Sequence, residues 1–183
     1  MSLNPARPLA LVATLAVALL AGCSSPIKGV VRSAPAAAVQ AQAAASTPSR
    51  CRFQVAEVED LRDEKHLGHM GPRLVDGQDF PDWFRDALAR IPGHSTEAAP
   101  VQLHVQVLKA YVQGISTMKS ANLVVRARID APDHAPVSRN YRGVDDSVNW
   151  VNGEGEMQDA FDRALEDLTQ QLQADLARAC PAS

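Results

Sequence analysis

The chain has 183 residues, 46% of them hydrophobic and 21% charged, with a formal net charge of -3. That is enough apolar material for one ordinary domain with appendages. The mildly acidic balance argues against a nucleic-acid binder, and an aromatic share of 4% leaves little for stacking on sugars or bases.

Arg7 is the only charge in the first 22 residues, and its removal would leave a net charge near -4. Leu9 to Leu20 form an apolar run broken only by Thr14. As a helix this run is about 18 Å long, too short for a bilayer core of about 30 Å, so it reads as the hydrophobic region of a signal peptide. Leu20-Ala21-Gly22-Cys23 resembles the lipobox of bacterial lipoproteins. That resemblance implies a signal peptide over 1–22, cleavage before Cys23, and diacylglycerol on its thiol. Palmitate-class acylation of the new amino terminus would follow. Two or more acyl chains anchor stably, each buried methylene contributing about 0.8 kcal/mol. By analogy with the sorting rule of enterobacterial lipoproteins, the resemblance and Ser24 in place of Asp imply the cell outer membrane, with the domain in the periplasm.

Residues 23–50 are rich in Ala, Ser, Pro and Gln without a sustained apolar period. They are expected to be a flexible tether with a root-mean-square span of roughly 30 Å. Residues 51–183 form the expected domain. Cys51 and Cys180 stand at its two ends, and in an oxidising compartment they are candidates for a disulfide; two free thiols are the alternative.

Cys51 to Val58 reads as a strand with Cys51, Phe53 and Val55 on one face. The polar stretch that follows, through Gly77, carries no regular pattern. Asp79 as cap and Pro81 in the first turn open a short helix with Phe80, Phe84, Leu88 and Ile91 on one side, stopped by Pro92-Gly93. Val101, Leu103, Val105 and Val107 alternate with polar residues, and the phase then shifts, which predicts a bulge near Lys109. A second strand has Ala121, Leu123, Val125, Ala127 and Ile129 inward, and a third runs from Val137 to Val144; the three form an antiparallel meander. Met157, Phe161, Leu165, Leu168, Leu172 and Leu176 mark a long amphipathic helix. The expected fold is α+β, a two-layer sandwich of order βαβββα, with a mostly antiparallel sheet and both helices on one face.

The lipobox, the tether and Asp60-Leu61-Arg62-Asp63 are followed by Val101-Gln102-Leu103-His104-Val105, Ser120-Ala121-Asn122-Leu123-Val124-Val125-Arg126 and Arg139-Asn140-Tyr141-Arg142-Gly143. With the terminal helix, this succession resembles the YajG-type lipoproteins. More loosely, it is similar to auxiliary lipoproteins of envelope ABC transport systems and to CsgG-like secretion lipoproteins. The resemblance covers about Cys51 to Ala179 and implies a small envelope domain that works by contacting other envelope components. It brings no catalytic residues.

No catalytic, metal or cofactor site is expected. His66 and His69 are three apart, but Gly68 and Gly71-Pro72 disfavour the helix that would join them as ligands. Ser116-Thr117-Met118-Lys119 matches Ser-x-x-Lys without the helix start or partner motifs of acyl-serine enzymes. Alternation instead places Arg126 and Arg128 on the open sheet face, joined by Arg142 and by Asn122, Asn140 and Gln106, a candidate interaction face for an anionic group. The expected function is that of a membrane-anchored, non-enzymatic interaction or assembly module. Its partners would be the membrane, through the N-terminal lipid, and an envelope protein, with homo-oligomers left open and no nucleic acid. The alternative is a lipid or small-ligand binding protein of an envelope transport system.

Overall fold

The computed structural model describes residues 25–28, 30–32, 51–115, 117–150 and 153–180. Signal peptide, lipobox and Cys23 lie outside the described residues, as do Ser116 and most of the expected tether. Among the described residues no helix is long and apolar enough to cross a membrane.

The elements are β1 (Phe53–Asp60), β2 (Gly68–Met70), β3 (Arg73–Leu74), α1 (Phe80–Ala89), β4 (Val101–Ile115), β5 (Met118–Asp130), β6 (Val137–Val148) and α2 (Glu154–Ala179). The α+β class and the packing of both helices against one sheet are as expected, and β4, β5 and β6 form the antiparallel meander. The bulge falls between Val107 and Lys109. It lets both halves of a 15-residue strand keep their apolar side chains inward although the sequence phase changes midway.

The other side of β4 is built differently from a simple meander. β1 pairs with its first half in parallel, Phe53 opposite Val101 through Asp60 opposite Val107, and β2 pairs in parallel with Val112 and Gln113. Two short strands thus share one edge of a long one, in tandem, and β3 lies outside β2. The polar stretch that showed no period contains β2 and β3 because strands of three and two residues are too short to express one. Gly68 has φ +89, and a Cβ there would stand 2.2 Å from the Val112 carbonyl oxygen, so only glycine brings β2 this close.

α2 spans 26 residues, about 39 Å, against roughly 44 Å for the 13 residues of β5, so one helix covers nearly the full length of the meander. Its stripe from Met157 to Leu176 is buried against the inward rows Leu103, Val105 and Val107 and Ala121 to Ile129. Small residues set the approach. A Cβ on Gly143 of β6 would lie 1.8 Å from the Ala164 carbonyl oxygen, so the helix backbone seats directly on that strand. β6 continues to Val148, beyond the expected Val144, because Asp145 stays in the ladder, paired with Arg163 of α2.

α1 carries Phe80, Trp83, Phe84, Ala87 and Leu88 into the same core. Phe80 and Phe84 stack at 5.7 Å, and Trp83 meets Phe161 of α2 edge-on at 6.2 Å. Asp79 occupies the cap position but its side chain makes no cap hydrogen bond.

The expected tether is interrupted. Ile27, Val30 and Val31 are buried in the core. The Ile27 amide donates to Leu74 O at 2.8 Å and the Asp76 amide donates to Ile27 O at 2.8 Å, which adds a further extended segment outside β3. Val31 turns through φ 58, a conformation that a β-branched residue adopts only where packing compels it, and Arg32 reaches Glu154 and Gln158 of α2. Three apolar residues are too few to produce a period, but they suffice to fill a groove.

Cys51 and Cys180 form a disulfide, with Cα atoms 5.5 Å apart and a sequence separation of 129. It ties the chain just before β1 to the end of α2. A loop of this size restricts the unfolded chain by about 5 kcal/mol in the entropy model, with about 2–4 kcal/mol commonly realised. Replacing both cysteines by Ala is therefore expected to lower the melting temperature by about 5–15 °C in calorimetry without changing the far-ultraviolet circular dichroism.

Candidate functional site

The open sheet face is where sequence alternation placed the arginines, and the register puts them there. Arg126 stands opposite Asn140, Arg128 opposite Ser138, and Arg142 opposite Val124, all pointing away from α2. Each is already engaged. Arg128 Nε donates to Asp130 Oδ1 at 2.8 Å, Arg126 Nε to Asn140 Oδ1 at 3.4 Å, and Arg142 Nη2 to Asn122 Oδ1 at 2.7 Å. β1 adds acids to the same face: Glu59 accepts from Gln106 Nε2 at 2.9 Å, and His104 lies between Glu57 and Asp130 at 3.8 and 3.4 Å. Parallel pairing of β1 with β4 was not legible in the alternation, so these acids were missed. The face is one of mixed charge and hydrogen-bonding groups.

A second cluster lies at the end of β1. Arg62 is buried, holds both carboxylate oxygens of Asp60 at 2.9 Å, and places its guanidinium 4.2 Å over the Phe80 ring. Burial alone would raise the Asp60 carboxyl, but Arg62 and Lys65 outweigh it and hold the group below its ordinary value of 3.8. Arg62 Nη1 is buried without a hydrogen-bond partner. Asp60 and Arg62 therefore clamp the strand end onto the first turn of α1.

Two further acids link the sheet to α2. Asp145 receives Arg163 Nε at 2.7 Å and Nη2 at 3.1 Å, and Ser147 Oγ at 2.7 Å; these overcome burial and depress its carboxyl below 3.8. Asp175 accepts from Tyr141 OH at 2.7 Å and from Arg139 and Arg178. Burial, then the nearby Asp175, raises the Tyr141 hydroxyl well above its usual range. Beside this group an open cavity of about 290 Å³ is lined by Ile129, His134, Val137, Arg139 and Arg178 among others.

The remaining candidates do not converge. His66 and His69 meet edge-on at 5.3 Å, with His66 Nε2 2.7 Å from Glu64 and its Nδ1 accepting from the Gly68 amide. Among the described residues no cluster of three or more His, Cys, Asp or Glu could hold a metal. Lys119 is buried and donates to Val148 O at 2.6 Å.

The chain exit at Ser25 was not legible in the sequence. Ile27 runs parallel to Val75, and Arg73 Nε donates to Ser25 O at 3.3 Å. Arg73 pairs with Met70, and Gly68 and His69 pair with Val112 and Gln113, so Met70, Arg73 and Ser25 stand level with Gly114, next to the β4–β5 turn. The same end holds Met118 and Val148, cross-strand partners each 42% exposed, and Trp150, 80% exposed. The Asn149 amide donates to Thr117 O at 2.7 Å, which fixes the end of β6 beside the turn.

The electrostatics set a direction for pH. Asp60 and Asp145 have folded pKa values below 3.8, so their contribution is complete above about pH 4 and is lost as pH falls through the lower folded values. Burial raises Asp162, which acts in the opposite sense, weakening the fold as pH rises above 3.8. Asp145→Asn is expected to cost about 1 kcal/mol at pH 7, given the half-exposed Arg163, and to flatten the acid limb of the melting-temperature profile below about pH 4.

No family model and no curated protein matches the chain. Among solved structures, it is similar to a Xanthomonas campestris protein of the DUF330 family, with a TM-score of 0.54 and 16% identity over 85% of this chain and 94% of that one. A protein from Chlamydia trachomatis aligns with a TM-score of 0.43 and 8% identity, over 69% of this chain and 99% of that one. A minor lipoprotein from Acinetobacter baumannii aligns with a TM-score of 0.38 and 15% identity, over 72% and 94%. The first of these likenesses establishes a shared fold.

Proposed function

We propose that the protein is a lipid-anchored component of the bacterial cell envelope that works as a non-enzymatic interaction module. The observation that carries this reading is the lipobox Leu20-Ala21-Gly22-Cys23, which stands four residues ahead of Ile27, the first core residue among the described residues of an α+β domain whose second sheet face no described element covers. The lipid supplies location in the outer membrane, and the domain supplies surface. Confinement near a membrane raises effective concentration, so a weak contact suffices. The open face, with its paired arginines, acids and amides, has the chemistry of a polar docking surface. Its groups are prearranged by hydrogen bonds along the strands, which lowers the entropy lost on binding. The YajG-type resemblance supports the same role.

The cavity beside Tyr141 and Asp175 favours a second reading, carriage of a lipid or small ligand in an envelope transport system.

Cys23→Ser is expected to abolish labelling by an alkyne fatty acid and to release the protein from the membrane pellet, with its circular dichroism unchanged. Retention in the pellet would count against lipid anchoring. Replacing Arg126, Arg128 and Arg142 together with Ser is expected to remove partner capture in crosslinked cells while lowering the melting temperature by no more than about 3 °C, since exposed pairs contribute little. Undiminished capture would rule out the open face as the contact surface. Recovery of an acyl chain in place of a protein would favour the carrier reading.

A further inference from the structure

The short distance between Cys23 and the folded body has a geometric consequence. Cys23 precedes Ser25 by two positions, a reach of no more than about 7 Å of extended chain. Ser25 stands level with Gly114, and the segment from Ile27 back to Ser25 runs toward the end of the sheet that holds the β4–β5 turn.

That end is where exposed apolar side chains gather. Met118 and Val148 face each other across β5 and β6, and Trp150 follows at 80% exposure. Its indole has no place in the core, whereas Trp83, the other tryptophan, is buried against Phe80 and Phe161. A tryptophan suits the headgroup layer, where one part of the ring meets acyl chains and its N–H meets water. The anchor strand and β6 are five strand spacings apart, roughly 24 Å across the same end.

Resting on the anchoring reading above, we propose that this end of the sheet is a membrane-apposed surface: Met118, Val148 and Trp150 enter the interface of the bilayer that holds the Cys23 lipid. The occupant is a phospholipid surface, because the covalent anchor brings that surface within reach. Glu156 accepts from the Trp150 amide at 3.0 Å and Asp146 is exposed two residues before Val148, so the contact rests on apolar burial and not on attraction to anionic headgroups. Two points about 24 Å apart hold this end of the sheet level with the membrane, and the opposite end, with the cavity beside Tyr141, lies farther from it.

The test uses the full-length processed protein, purified with its acyl chains and reconstituted in vesicles of phosphatidylethanolamine and phosphatidylglycerol, with and without bromine on the acyl carbons nearest the headgroup. The difference in emission between the wild type and Trp150→Phe reports Trp150, while Trp83 supplies a constant background. At least a twofold quenching of that difference signal by brominated lipid is expected. An unquenched signal from protein whose intact mass shows acylated Cys23 would overturn the orientation and leave the anchoring reading standing. An intact mass showing an unmodified Cys23 would overturn the anchoring reading, and this inference with it. Emission that shifts to the blue with protein concentration in detergent and is unquenched in vesicles would assign the patch to a second copy, which also overturns the proposal.

Discussion

The seating of α2 on the inner face of the β4–β5–β6 meander is the contact on which the rest of the molecule depends. The meander offers a continuous apolar surface from Leu103 to Ile129, and a surface of that kind must be covered. A single helix of 26 residues nearly matches the length of the strands, and the bare backbone at Gly143 lets it approach closely enough to exclude water. Once α2 is in place, Phe161 receives Trp83, and through it α1 is positioned. Asp145 and Asp175 then hold the helix at two points along its length, through Arg163 and through Tyr141.

The edge of β4 away from the meander is assembled from pieces too short to stand alone. β1 and β2 add in parallel, β3 and the Ile27 segment extend the sheet further, and each gains stability from the one before it. Parallel addition at this edge explains why the open face became a surface of mixed charge. It sets Glu57 and Glu59 beside His104 and Gln106, which the meander alone would have left next to arginines.

The N-terminal segment changes the mechanical picture of the anchor. A tether of 27 residues would let the domain wander through roughly 30 Å of periplasm. Packing of Ile27, Val30 and Val31 into the core shortens the link ahead of the body to a few residues. Under the proposed anchoring, surfaces would then be presented at defined heights, with the apolar end near the membrane.

The sequence by itself determined the elements whose side-chain periods run long enough to be read: the meander, its bulge near Lys109, the stripe of α2 and the helix opened by Pro81. It also located Arg126, Arg128 and Arg142 on one face, because a period of two admits only one alternative. The disulfide of Cys51 with Cys180 was legible as a candidate from the placement of the two thiols. Only the tertiary structure decided the parallel direction of β1, the existence of β2 and β3, the docking of Ile27, Val30 and Val31, and the gathering of Met118, Val148 and Trp150 at the same end of the sheet as Ser25. The reason is common to all four. Each depends on contacts between residues far apart in the chain, and β2, β3 and the Ile27 segment are in addition too short to display a repeating pattern, so local sequence carries no trace of where they will meet.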